Sequence, residues 1–140
     1  MFRTAILAAL ALVCVSLPAE ARQHHRHHHR RHNAAHYGAS EIVAHPAGCP
    51  RSLFCGCGAS VRIFGHSVRQ LWLAANWFKF PRAVPAPGMA AVRRHHVFVL
   101  ERPISGDVWL TYDANSGGHA TRLHARSIVG YTIVNPTGGA

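Results

Sequence analysis

The chain opens on an apolar run, Thr4 to Leu17, preceded by Arg3 and broken by Pro18. The run is too short and too poorly flanked for a membrane-spanning helix. Ala19-Glu20-Ala21 follows, the small-x-small pattern that signal peptidase reads. The pattern predicts a cleavable signal peptide over 1–21 and export from a bacterium to the periplasm or beyond. Val13 stands where a lipobox needs a small residue, so Cys14 is expected to leave with the signal and carry no lipid. No second apolar segment reaches spanning length.

Polarity then inverts. Residues 22–36 read RQHHRHHHRRHNAAH, with no aliphatic side chain larger than alanine. Such a segment cannot bury enough apolar surface to offset its ordering entropy. Residues 37–48, rich in Ala, Gly and Pro, read as loop. The expectation is a disordered linker over 22–47, a folded domain over 48–135 and a flexible tail over 136–140.

Within the domain the periodicity is first helical. Cys55 to Phe64 reads as a short helix despite two glycines at its start, and Gly65-His66 interrupts it. Ser67, with Gln70 three residues on, resembles a capping box for a second helix through Phe80. Val68, Leu71, Trp72 and Ala75 would form its apolar face. Pro81 stops it, and residues 81–88 form a connector with three prolines.

The rest has the β-branched and aromatic composition of strands. Met89–Val92, Val97–Glu101, Asp107–Tyr112, Ala120–Leu123 and Ser127–Val134 are the candidates. Helices followed by sequential strands with short links predict an α+β domain. Its sheet would be antiparallel, four- to five-stranded, with helices on one side.

Charge narrows the partners. A formal net charge of +10 favours an anionic one. Peptidoglycan and other anionic envelope material fit an exported monomer, and export argues against nucleic acid. No cofactor is required. His24, His25, His27, His28, His29 and His32 can hold Zn, Ni or Cu adventitiously through neutral imidazole, without fixed ligand spacing.

After signal cleavage Cys49, Cys55 and Cys57 remain, an odd number in an oxidising compartment. At most two can pair within the chain. Cys55 opens a predicted helix, whose unpaired N–H groups and partial positive charge favour the thiolate. His96 begins a strand, and Asn115 lies in the turn after the next one. A meander can bring a strand start and the loop after its neighbour to one sheet end. Thiol, imidazole and a polar orienter would then form the general arrangement of an activated nucleophile. The same residues also suit structural roles: a buried thiol or disulfide partner, a basic surface turn and a turn former.

Four motifs extend this picture. Pro50-Arg51-Ser52-Leu53-Phe54-Cys55-Gly56 precedes Leu71-Trp72-Leu73-Ala74-Ala75-Asn76-Trp77. Pro87-Gly88-Met89 leads to His95-His96-Val97, and Asn115-Ser116-Gly117-Gly118 follows. Together, over residues 48–131, they resemble small exported alphaproteobacterial proteins related to the NlpC/P60 and CHAP cysteine peptidases. The resemblance implies a papain-like domain in which Cys55 is the nucleophile and His96 the base. It implies Asn115 as the third residue, with His119 a rival, and an oxyanion site at Gly56. Two features depart from the pattern: Phe98 stands where glycine follows His-Val, and Cys57 lies two residues past the nucleophile. A Cys55–Cys57 bond would need distortion along a helix. Cys49–Cys57 is the more natural pair and would leave Cys55 free, whereas Cys49–Cys55 would silence the site.

The resulting expectation is a hydrolase cutting an amide of peptidoglycan stem peptides. The alternatives are a non-catalytic wall-binding module of the same fold and a His-rich periplasmic metal-binding protein.

Overall fold

A computed structural model describes residues 40–138. The predicted signal peptide, the whole His/Arg-rich segment with its six candidate metal ligands, and the extreme C-terminus lie outside the described residues.

The domain is α+β. Its elements are β1 (Glu41–Val43), α1 (Cys55–Phe64), two 3-10 turns (Arg69–Leu71 and Ala74–Lys79), β2 (Ala90–Arg93), β3 (His96–Ser105), β4 (Val108–Ser116), β5 (Ala120–Ser127) and β6 (Thr132–Val134). The six strands form one sheet in the order β1-β5-β4-β3-β2-β6, every pair antiparallel. The sixth strand is β1, in a segment expected to be loop. Its three residues pair with Thr121–Leu123 of β5. The expected strand over 127–134 divides instead, its first residue ending β5 and its last three forming β6.

Strand alternation sorts side chains onto two apolar faces. Ala90, Val92, Val97, Val99, Tyr112, Ala114 and Val134 pack with Phe54, Cys57, Ala59 and Trp77 under α1 and the 3-10 turns. Their neighbours Ala91, Phe98, Leu100, Trp109 and Ile133 point the other way, against Met89, Ile128 and Tyr131. The helical elements therefore cover one face, and the β5–β6 connection helps cover the other.

The second predicted helix is not continuous. Side chains take carbonyls that an α-helix would use. Trp77 Nε1 donates to the Leu71 carbonyl at 2.8 Å, and Asn76 Nδ2 to the Gln70 carbonyl at 2.6 Å. Such local competition breaks the ladder into 3-10 turns. Ser67 does not cap them: Val68 holds that position, and the Ser67 hydroxyl accepts from Trp72 Nε1 at 2.9 Å.

The glycines at the start of α1 fix where the helix lies. A Cβ on Gly58 would stand 2.2 Å from the Ala114 Cβ, and one on Gly56 would stand 2.1 Å from the Leu71 carbonyl oxygen. The first turn of α1 thus lies directly on β4 and on the first 3-10 turn. The alternation Cys55-Gly56-Cys57-Gly58 gives up helix propensity for that close approach.

Candidate active site

Cys49 and Cys57 are joined by a disulfide, and Cys55 is free. Cys55 is 6% exposed. It borders an apolar cleft of about 370 Å³ that it shares with Leu53, Trp72, Leu73, Arg94 and Asn115. The first intrahelical bond of α1 runs from the Gly58 N–H to the Phe54 carbonyl at 2.8 Å. The N–H groups of Cys55, Gly56 and Cys57 precede it and point out of the helix start. Among the described residues no side chain caps this end. Leu53, just before the helix, holds the left-handed conformation with φ of 52°. That conformation costs a non-glycine residue about 1 kcal/mol or more.

Cys55 lies beside His96, at the start of β3, near enough to favour the charged imidazole. The other side of the imidazole meets Asp113 of β4. His96 Nε2 donates to Asp113 Oδ1 at 2.8 Å. An ionised carboxylate only accepts, so Nε2 carries a proton and Nδ1 is the nitrogen left for the thiol.

Asp113 is fully buried. Three groups converge on it: His96, His124 Nε2 at 3.1 Å, and Arg126 Nη1. Arg126 Nη1 also lies 3.3 Å from His96 Nε2, two donors held together by the carboxylate they share. Burial alone would raise the Asp113 pKa, but hydrogen bonds from His124 and His96 and the Arg126 charge hold it well below the usual carboxylate range. Burial alone would lower His96. The hydrogen bond to Asp113, the nearness of Cys55 and the attraction of both instead bring it up to about 9.

These shifts set a pH window. His96 is raised from 6.5 to about 9, so its contribution to stability is complete below pH 6.5 and lost as pH rises through about 9. Asp113 is lowered from 3.8, so its contribution is present above pH 3.8 and lost only on further acidification. Urea unfolding midpoints are therefore expected to fall between pH 6.5 and 9.5, and His96→Gln to flatten that fall. An unchanged slope in the variant would contradict the assignment.

The imidazole's orienter is thus Asp113, not Asn115 or His119. Continuing the register from Val99↔Tyr112 would set Asn115 opposite His96. The β4–β5 pairing shifts between Asp113 and Ser116, and Asn115 turns into the left-handed region with φ of 59°. Bulges re-aim side chains in this way. The Asn115 Oδ1 instead accepts from His119 Nδ1 at 3.0 Å, within the turn. Asn115 still borders the cleft beside Cys55.

Phe98 sits on the same face as His96, with ring centroids 6.1 Å apart. It is fully buried, packs edge-on against Tyr131 and carries the Arg126 guanidinium over its ring. A glycine there would remove that support. Asp113, His124 and Arg126 escaped sequence reasoning. One signal was available: Asp113 is among five acidic residues in the chain, and it continues a strand of apolar and β-branched residues.

Among the described residues no group of three or more His, Cys, Asp or Glu has the geometry to hold a metal ion. Nor, among them, is any helix long and apolar enough to cross a membrane. Comparison with protein-family models, with curated proteins and with solved structures finds no match to this chain.

Proposed function

We propose that this protein is an exported cysteine hydrolase of NlpC/P60–CHAP type that cuts an amide bond of peptidoglycan stem peptides. One observation carries the proposal: a free thiol opening a helix lies beside an imidazole that donates to a buried carboxylate. Helix α1 lying on one face of an antiparallel sheet suits the papain-like arrangement.

In this reaction Cys55 attacks the amide carbonyl and forms a thioester. The first N–H groups of α1, at Cys55 and Gly56, stabilise the oxyanion. His96, charged at neutral pH, balances the thiolate and gives its proton to the leaving amine. It then takes a proton from the water that hydrolyses the thioester. Asp113 holds the ring in the tautomer that presents Nδ1 to sulfur. The formal charge of +10 draws the enzyme to anionic wall or outer-membrane material.

Cys55→Ala is expected to lower muropeptide release from purified sacculi by at least about a thousandfold. Undiminished release would refute the proposal. Saturable binding to sacculi, without fragments released by the parent protein, would favour a wall-binding module of the same fold.

A further inference from the structure

A second cleft, about 700 Å³, opens on the sheet face that carries His96. Arg93, His96, His124, Arg126 and Tyr131 line it. The carboxylate that pairs with this cluster, Asp113, is fully buried beneath. The wall therefore presents more positive than negative charge.

Its two guanidiniums are held in place. Arg93 donates through Nε to the Gly130 carbonyl at 2.9 Å and through Nη2 to the Val129 carbonyl at 2.6 Å. Its guanidinium lies 4.1 Å from the Tyr131 ring centroid. Arg126 donates to Asp113 and to the Tyr131 hydroxyl, and stacks on Phe98 at 4.7 Å. Gly130 permits the Arg93 position: a Cβ there would stand 2.6 Å from Arg93 Nη2. Among the described residues, Nη1 of Arg93 and Nε of Arg126 have no protein hydrogen-bond partner. Guanidiniums pre-ordered by aromatic faces, with donors to spare, suit carboxylate and phosphate oxygens.

We propose that this cleft is an oxyanion-binding site, held by Arg93 and Arg126 with His124 beside them. Its ligand carries a carboxylate or phosphate group. The site needs no turnover at Cys55, so it stands or falls apart from the proposed hydrolysis.

The test titrates the full mature chain carrying Cys55→Ala, at constant ionic strength, and follows backbone amide shifts by NMR. The probes are inorganic phosphate, N-acetyl-alanyl-alanine and the amide of that dipeptide. Saturable shifts at Arg93, Arg126 and Tyr131 are expected with the free carboxylate or with phosphate, and none with the amide. The tighter of the two identifies the source of the oxyanion. Arg93→Gln should weaken binding at least tenfold. Gly130→Ala should do the same with charge retained, and Arg102→Gln, an exposed arginine outside the cleft, should leave it unchanged. Shifts that match chloride alone would overturn the proposal. So would binding indifferent to both Arg93→Gln and Gly130→Ala.

Discussion

Asp113→Asn should destabilise the domain by about 3 kcal/mol or more and bring the His96 pKa down from about 9. The carboxylate is fully buried and accepts from two imidazoles and a guanidinium. An amide of the same shape keeps one accepting oxygen but turns N–H donors toward groups that also donate. It also leaves the Arg126 charge beside His96 without its counter-charge. Removing one partner of a buried ion pair is costly because the other is stranded. For a domain of this size, that loss corresponds to a fall in melting midpoint of roughly 12 °C or more. Denaturant unfolding and NMR titration of the His96 ring protons read the two effects separately. Stability within about 0.5 kcal/mol of the parent, a range typical of surface substitutions, with His96 still titrating near 9, would contradict the network.

Gly58→Ala should be nearly as damaging, though the residue carries no chemistry. The added methyl would need the space of the Ala114 Cβ, which stands 2.2 Å from its position. Overpacking of this kind costs about 1–3 kcal/mol and displaces backbone. Here the displaced element is α1, which carries Cys55, moving against β4, which carries Asp113. Reactivity of Cys55 should fall along with stability. Ala114→Gly in the same chain removes the opposing methyl and should restore most of both. That coupling separates steric contact from helix propensity, because alanine is the better helix former. No rescue by Ala114→Gly would mean that the helix is set against the sheet by other contacts.

Local periodicity was enough to place α1, since Cys55–Phe64 is both the predicted and the observed span. The α+β class followed from element order. The second helix misled because its apolar spacing is helical, while Trp77 and Asn76 take the carbonyls a helix needs. Strand β1 was hidden in a segment of loop composition, and its pairing with β5 depends on residues some eighty positions away. At the candidate site, Cys55 and His96 stood out by chemistry and by their places at element starts. Asp113 did not, because its role depends on a bulge one step later that turns Asn115 away. Register and bulges are properties of the assembled sheet. His124 and Arg126 share that origin: alternation along β5 sets them on the face that Asp113 occupies across the ladder. The glycines of the Cys-Gly-Cys-Gly run counted against a helix in sequence, and only contact with Ala114 and Leu71 shows why the chain holds them there.

The most direct test of the thiol–imidazole–carboxylate arrangement needs no substrate. The mature protein, with its Cys49–Cys57 disulfide intact, is treated with iodoacetamide across pH 4 to 9, and the modified cysteine is mapped. At pH 6 Cys55 should be modified rapidly, and at least tenfold more slowly in His96→Ala. Modification confined to alkaline pH and indifferent to His96→Ala would contradict that arrangement.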